Sequence, residues 1–153
     1  MIKRKHATTL LFLFLAGSLM LGLSACGSSE DEMALRSNLR DMRQAISSNK
    51  ADVLMKFVDE SYKSPAHPNI NALRNFVNSH LSRNRVIHIY LADINVEIDG
   101  DTATIVFFSG TADGPDKVPE RGRLFKVGTR WLKTNGQWLL TQAKWRPALI
   151  PRN

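Results

Sequence analysis

Cysteine is almost absent from this chain, and several kinds of site are excluded with it. The 153 residues include one cysteine, so the chain cannot form an intrachain disulfide, a four-cysteine zinc site or an iron–sulfur cluster of its own. No G-x-S-x-G segment occurs, and no glycine-rich loop introduces a predicted helix, as phosphate binding requires. Three histidines, His67, His80 and His88, lack metal-ligand spacing. We therefore expect no metal and no other cofactor.

Acidic residues are missing from the end of the chain. Residues 121–153 carry eight Lys or Arg and no Asp or Glu, and the formal net charge of the whole chain is +7. Such a basic end favours contact with anionic lipid head groups or an acidic partner, or else it forms a solvated face of a sheet. We expect no nucleic acid as a partner, because the N-terminal segment described next directs the chain out of the cytoplasm.

The first residues have the layout of an export signal. A basic cluster at 3–5 precedes the apolar segment 10–23 and the small residues at 24–25. The tetrapeptide at 23–26, Leu-Ser-Ala-Cys, resembles the lipobox of bacterial lipoproteins. The resemblance implies cleavage before Cys26 and attachment of lipid to its thiol and its new amino group. The alternatives are an uncleaved membrane anchor, since the uncharged segment 7–29 is 23 residues long, and an ordinary buried thiol.

The lipobox also divides the chain and indicates a location. Residues 1–25 form the signal peptide, 26–29 the lipidated cysteine with a short linker, 30–148 one domain, and 149–153 a tail. Two or three acyl chains anchor a protein more firmly than a single chain does. Glycine rather than aspartate follows Cys26, and by resemblance to Gram-negative sorting this favours the outer membrane, with the domain facing the periplasm.

Helical periodicity follows the linker. Apolar residues spaced by three and four predict a first helix over about 30–48, beginning with a capping box of Ser29 and Glu32. Asn49 is expected to cap a second helix, and a third is predicted at about 70–82. The apolar faces of the second and third helices contain, respectively, Val53, Leu54, Phe57 and Val58, and Ile70, Leu73, Phe76, Val77 and Leu81.

The period then changes to two. Alternating apolar residues on either side of Gly100 predict a hairpin, and the segment 110–122 predicts a long connection, either a mobile lid or an insertion. Asn135-Gly136 predicts a second hairpin with a two-residue turn that pairs Thr134 with Gln137. The resulting cross-strand pairs are Trp131–Leu140, Thr129–Gln142 and Val127–Lys144. The expected core face holds Phe125, Val127, Trp131, Trp138 and Leu140, with Thr129 and Gln142 in its middle, while Trp145 lies on the other, mixed face.

Three amphipathic helices followed by antiparallel hairpins resemble the nuclear transport factor 2-like superfamily, which includes polyketide cyclases and ketosteroid isomerases. The closing segments 123–127, 135–140 and 143–148 carry the resemblance, which covers about residues 30–148. It implies an α+β fold in which three N-terminal helices pack on a curved antiparallel sheet, a cone-shaped, cystatin-like roll. A fold of this kind does not specify a reaction.

The residues expected inside the cone do not form an obvious catalytic set. Enzymes of the superfamily use a carboxylate or a histidine there as a general base. The predicted core faces supply no acid, whereas His88 and Tyr90 share the parity of Ile94 and point inward if no bulge intervenes. We therefore expect a non-catalytic envelope lipoprotein that binds a small apolar or amphipathic ligand, or an envelope partner.

The candidate binding residues are drawn from both hairpins and from the second helix. A homodimer through the mixed sheet face is a further expectation. The alternative function is an isomerase- or cyclase-like enzyme that acts on a small hydrophobic substrate with His88 or Asp59 as its base. The candidate ligand-binding residues are Tyr62, His88, Tyr90, Thr129, Trp131 and Gln142.

Overall fold

The computed structural model describes residues 24–82, 87–113 and 123–148. Most of the predicted signal peptide and the tail 149–153 lie outside the described residues, as does the side chain of Cys26. The chain divides into two units, 1–31 and 32–153. In the first unit, residues 24–31 are helical, and the second unit contains the remaining helices and the sheet. Within the described ranges, no helix has the length and apolar character needed to cross a membrane.

Helices precede strands, as the sequence predicts. The helices are α1 (Ser24–Ser47), α2 (Ala51–Met55) and α3 (Ile70–Leu81), and the strands are β1 (Ile87–Asp99), β2 (Thr102–Asp113), β3 (Arg123–Thr134) and β4 (Gln137–Pro147). The described strands form one antiparallel sheet in the order β1-β2-β3-β4. The α+β class, with helices followed by a curved antiparallel sheet, is confirmed.

Helix α1 begins earlier than predicted. It starts at Ser24 and continues through Ser29, so the proposed capping box is not its N-terminus. No proline lies between residues 24 and 29, and serine is tolerated inside a helix, so nothing in this segment forces the helix to begin at the local capping signal. Glu32 instead pairs with Arg36 one turn later, at 2.8 Å between carboxylate and guanidinium.

Asn49 ends α1 and does not cap α2. Its φ is 55°, in the left-handed region that asparagine tolerates. The backbone N–H of Lys50 donates to the carbonyl of Ala45 at 2.8 Å, and that of Asn49 donates to Ile46 at 3.0 Å. These two bonds are the Schellman arrangement, which satisfies the last carbonyls of a helix. The N-cap of α2 is Lys50, whose side chain makes no capping hydrogen bond.

Helix α3 matches its prediction except at Phe76. The Asn69 side chain accepts the backbone N–H of Ala72 at 2.9 Å, which fixes the start of the helix. Phe76 is 39% exposed, so it does not belong to the buried face. The buried residues of the helix are Ile70, Leu73, Val77 and Leu81.

A β-bulge in β1 decides which of its side chains face the core. Ala92 pairs with Phe108 and Asn95 with Val106, so two residues on β1 stand opposite one on β2. Asp93, within the bulge, has φ 50°. The extra residue reverses the alternation of side chains on its N-terminal side. We call the face of the sheet that carries Ile105 the inner face and the opposite face the outer face.

The bulge overturns the expected orientation of two candidate residues. His88 and Tyr90 pair with Ala112 and Gly110, and both lie on the outer face with Phe108. Tyr90 is 48% exposed. The prediction that these two side chains point into the domain is therefore wrong, because it assumed uninterrupted alternation as far as Ile94. Strand β2 continues to Asp113, so the first part of the predicted connection is strand and its remainder, 114–122, lies outside the described residues.

The second hairpin confirms the predicted turn and the pairs nearest to it. Asn135 and Gly136 have φ of 52° and 77°, which a type I′ turn requires. Thr134 pairs with Gln137, and Trp131 pairs with Leu140. The sequence thus predicts the register correctly for the first part of the hairpin.

A second bulge then shifts this register by one residue. Arg130 pairs with Gln142, which leaves Thr141 as the extra residue of β4. The Thr141 hydroxyl donates to the Arg130 carbonyl at 3.1 Å and so satisfies a backbone group at the irregularity. The predicted pairs Thr129–Gln142 and Val127–Lys144 are wrong, and the observed partners of Thr129 and Val127 are Ala143 and Trp145. Gln142 therefore leaves the inner face and Trp145 joins it.

The core lies between the helices and the inner face of the sheet. Its largest fully buried side chains are Trp131, Tyr62, Leu35 and Ile105, each at most 1% exposed. Because burial of apolar area is the main stabilising contribution to folding, this aromatic and aliphatic layer holds the helices on the sheet.

Candidate functional site

Two of the predicted binding residues are committed to the core. Trp131 donates its indole N–H to the Thr129 hydroxyl at 2.9 Å, and Thr129 donates to the Ile105 carbonyl at 3.2 Å. Thr129 is 6% exposed and Trp131 is 1% exposed. A ligand could engage these polar groups only by breaking bonds that already satisfy them, so they act as structural residues in this arrangement.

The six predicted residues do not form one site. His88 and Tyr90 lie on the outer face at one end of β1, and Thr129 and Trp131 lie in the core. Tyr62 and Gln142 do come together, because both line a cleft of about 620 Å³ beside β4. The full lining of this cleft is Glu60, Ser61, Tyr62, Lys63, Pro68, Asn69, Arg130, Thr141 and Gln142.

The cleft exists because the segment after α2 runs along β4. The backbone N–H of Leu140 donates to the Phe57 carbonyl at 2.8 Å, and that of Asp59 donates to the Leu140 carbonyl at 3.0 Å. Further along, the N–H of Lys63 donates to the Thr141 carbonyl at 3.1 Å. These bonds fix the segment 57–63 against the sheet and place Tyr62 between the helical layer and β4.

Two buried polar atoms in the connection between α2 and α3 lack an ordinary hydrogen bond. They are the hydroxyl oxygen of Tyr62 and Nδ1 of His67. The Ser64 side chain and the Ala143 backbone lie near the Tyr62 hydroxyl, but neither meets hydrogen-bond geometry with it. Tyr62 is 1% exposed and His67 is 7% exposed. Such groups are uncommon in folded proteins, so each marks a place where a ligand or solvent would gain by supplying a partner.

The backbone around His67 is held by its own turn. Ser64 donates its N–H to the His67 carbonyl at 2.8 Å, and the Ser64 hydroxyl accepts the N–H of His67 at 3.0 Å. Pro65 and Pro68 limit the backbone freedom of the turn further. The imidazole is thus positioned by the main chain while its Nδ1 stays unbonded.

Aromatic rings surround that imidazole. The His67 ring lies 4.5 Å from the Phe76 ring and 5.7 Å from the Trp145 ring, measured between centroids. Phe76 in turn lies 4.0 Å from His80. We call His67, Phe76, His80 and Trp145 the aromatic cluster. Because Phe76 and Trp145 are 39% and 43% exposed, a flat apolar molecule can reach these rings from solvent.

Burial sets the protonation of the two unpartnered groups. It raises the pKa of the Tyr62 hydroxyl, and the nearby Ser64 side chain and Ala143 backbone offset part of that rise. Burial, and then the electrostatic effect of nearby His80, lower the pKa of His67. At neutral pH the Tyr62 phenol is therefore neutral and can donate a proton in a hydrogen bond, and the His67 imidazole is neutral as well.

In contrast to Nδ1 of His67, the carboxylate of Asp59, the acidic candidate for a general base, is hydrogen-bonded. The Asp59 carboxylate accepts hydrogen bonds from the Ser61 hydroxyl at 2.6 Å and from the Ser61 N–H at 2.8 Å. These bonds lower the pKa of Asp59. A lower pKa makes the Asp59 carboxylate a weaker base. Since the carboxylate is already bonded to Ser61, it is better suited to stabilising this turn. Within the described ranges, no group of three or more His, Cys, Asp or Glu is placed to hold a metal ion.

His67 is the residue that sequence reasoning missed. Its neighbours in the sequence, Pro65 and Pro68, indicate a break between helices, and the histidine was weighed only for metal-ligand spacing. The ring partners Phe76 and Trp145 were predicted, respectively, for the core face of α3 and for the mixed outer face of β4. With both assigned elsewhere, no signal pointed to a cluster around position 67.

Comparison with known proteins supports the architecture without assigning an activity. No family model matches the chain, and no curated protein matches it either. A solved structure of a proposed dehydratase of the NTF2-like family from Streptomyces avermitilis is similar with a TM-score of 0.71 and 14% identity, covering 80% of this chain and 99% of that one. A proposed scytalone dehydratase from Novosphingobium aromaticivorans gives a TM-score of 0.68 and 11% identity, covering 80% and 87%.

A third similar structure belongs to a longer protein. It comes from Bdellovibrio bacteriovorus, with a TM-score of 0.69 and 15% identity, and it covers 82% of this chain. The present chain spans 45% of that protein's length. At identities this low, the structural similarity establishes the fold and does not assign a reaction. The helices and sheet of this chain have the nuclear transport factor 2-like fold.

Proposed function

We propose that this chain is an exported lipoprotein, anchored by lipid on Cys26 to the outer membrane with its domain in the periplasm, and that the domain binds a small apolar ligand carrying a single polar group. The observation that carries the binding role is the buried, unpartnered Nδ1 of His67 among the exposed rings of Phe76 and Trp145. The buried Tyr62 hydroxyl, whose residue lines the cleft beside β4, supports it. The signal-like residues 3–25 and the lipobox at 23–26 support the anchor.

The chemistry of the ligand follows from the groups that would meet it. Tyr62 offers a hydroxyl donor, and neutral His67 offers either a donor or an acceptor at Nδ1, depending on its tautomer. Phe76 and Trp145 offer ring faces and edges to an apolar body. A planar molecule with one carbonyl or hydroxyl group matches this combination, since binding sites pair a mostly apolar surface with few polar groups.

An energetic argument favours binding over a purely structural role for these groups. A buried polar atom without a partner destabilises a protein by about 1–3 kcal/mol. Phenylalanine at position 62 would avoid that cost while retaining the ring. A ligand group that pairs with this hydroxyl would recover the free energy that Ser64 and the Ala143 backbone, which lie near it outside hydrogen-bond geometry, do not supply.

Tyr62→Phe is expected to weaken binding of such a ligand about threefold to tenfold, the equivalent of one ordinary hydrogen bond. The probe is a panel of uncharged bicyclic aromatic compounds with one hydroxyl or carbonyl group, titrated by calorimetry. In the absence of probe the variant is expected to be as stable as the wild type or slightly more so, because an unpaired hydroxyl has been removed.

Tyr90→Phe is the matched control, since it changes the chain's other tyrosine on the outer face, where 48% of it is exposed. Its affinity should equal that of the wild type. Equal losses in both variants, or a wild type that binds no member of the panel, would contradict the binding role.

One observation favours a second function, catalysis: the imidazole of His67 is neutral and lies beside aromatic rings. The lowered pKa keeps the His67 imidazole in the neutral form, which can accept a proton from a small hydrophobic substrate. Two of the three similar proteins named above are proposed dehydratases, so acid–base chemistry is the relevant class to screen. Turnover that disappears in His67→Gln and persists in His88→Gln would establish the enzymatic role in place of binding alone.

A further inference from the structure

The outer face of β3 and β4 carries four exposed cations close together. They are Lys126, Arg130, Lys144 and Arg146, which we call the basic quartet. Lys126 stands directly opposite Arg146 in the strand pairing. Like charges at directly opposed positions repel, and this arrangement destabilises the sheet unless something else compensates.

The bulge at Thr141 creates this quartet. Without it, the predicted register placed Lys144 opposite Val127, on the inner face. With it, Lys144 pairs with Gly128 and Arg146 pairs with Lys126, so both cations join Arg130 on the outer face. Glycine at 128 adds no side chain between Lys126 and Arg130, which leaves the cations accessible from the same side.

The quartet is not neutralised from within the domain. The ion pair seen in the described residues, Arg36 with Glu32, lies elsewhere, on α1, and none of the four cations reaches a described carboxylate within 4.0 Å. Residues 121–153 contain no acid at all, so neither strand nor the chain end after them supplies one. Among the residues that the structure describes, two acids lie around Arg130 without forming an ion pair with it. Glu97 pairs with Thr104, the strand neighbour of Arg130, and Glu60 lines the same cleft as Arg130.

Apolar side chains border the cations. Phe108 pairs with Lys126, and Val106 pairs with Gly128; both are half-buried on the outer face. Tyr90 lies farther along the same face and is 48% exposed. Cations beside aromatic and aliphatic side chains suit the boundary between lipid head groups and acyl chains, where Lys and Arg extend toward phosphate and tyrosine sits at the interface.

We propose that the basic quartet docks the outer face of the sheet on an anionic lipid surface. The proposal rests on the anchored function above, because a tether at a membrane raises the local concentration of head groups around the domain. Membrane-proximal clusters of Lys and Arg are attracted to anionic lipids additively, and the attraction is screened by salt. A second copy of the chain and an acidic protein are the competing occupants.

Amine footprinting of the full chain in nanodiscs tests this docking. Protein extracted from bacterial membranes is reconstituted in discs of phosphatidylcholine, with and without phosphatidylglycerol, and its lysines are acetylated and quantified by mass spectrometry. Lys126 and Lys144 are expected to react severalfold more slowly in the anionic discs. Lys50 and Lys56, exposed on the helical side, should react equally in both, and high salt should abolish the difference.

Paired substitutions identify the surface responsible. Arg130→Gln with Arg146→Gln should remove the protection of Lys126 and Lys144, whereas Arg40→Gln with Arg43→Gln, on exposed positions of α1, should keep it. Equal labelling in both kinds of disc, or protection in phosphatidylcholine that depends on protein concentration, would overturn the proposal, the latter in favour of self-association. The mass of the N-terminal peptide in the same samples reports lipid on Cys26 separately, so failure of the anchor and failure of docking are distinguishable.

Discussion

Trp131→Ala is expected to destabilise the domain by about 3–5 kcal/mol, the range for truncating a large buried aromatic residue. Trp131 is 1% exposed and pairs with Leu140 across the second hairpin. The substitution leaves a cavity in the layer between helices and sheet, and it also removes the indole N–H that donates to Thr129. Because a folded domain is stable by only about 5–15 kcal/mol, much of the variant is expected to be unfolded or aggregated.

The control lies next to it on the same strand. Leu132→Ala removes a side chain that is 37% exposed on the outer face, and a change of at most about 1 kcal/mol is expected, since little buried area is lost. Chemical denaturation of both variants gives the comparison. Similar midpoints for Trp131→Ala and the wild type would mean that the inner face is not the core of this fold.

Cys26→Ser is expected to abolish lipid attachment completely. The lipobox resemblance implies a thioether bond to the cysteine sulfur, and serine offers only a hydroxyl at that position. Incorporation of labelled palmitate is expected to fall to background, and the protein should either stay unprocessed or leave the membrane fraction. Ser28→Ala, two residues further on, is the matched control and should be labelled normally.

Two outcomes would contradict the anchor. Palmitate retained in Cys26→Ser would place the lipid elsewhere in the chain. Wild-type protein that is held in the membrane with an intact leader and no lipid would favour the uncleaved segment 7–29 as the anchor.

Periodicity predicted the elements of this fold but could not locate its irregularities. The Asn135-Gly136 turn and the pairing of Trp131 with Leu140 follow from local turn chemistry, which the sequence states directly. Each of the bulges at Asp93 and Thr141 arises from a single extra residue in one strand, and neither residue type predicts a bulge. Each bulge reversed the side-chain alternation beyond it, which moved Tyr90 and Gln142 to the outer face.

The same limits apply to the candidate site. Tyr62 is among the binding residues predicted from the sequence. His67 is not, since its position in a proline-flanked turn indicates only a connection between helices. The features that make His67 a candidate arise from packing. The rings of Phe76 and Trp145 contact it from different elements, and the turn at Ser64 fixes its backbone. Contacts between different elements, such as that of His67 with Trp145, are set by the tertiary fold, which a local sequence pattern does not encode.

Nuclear magnetic resonance of the His67 imidazole, with the chain labelled at histidine Cε1, tests the binding role most directly. We expect this resonance to titrate below the ordinary value of 6.5, and to shift on addition of an uncharged bicyclic alcohol or ketone while the His88 resonance, on the outer face, stays in place. An ordinary titration at 6.5 with no response to any compound of the panel would contradict it.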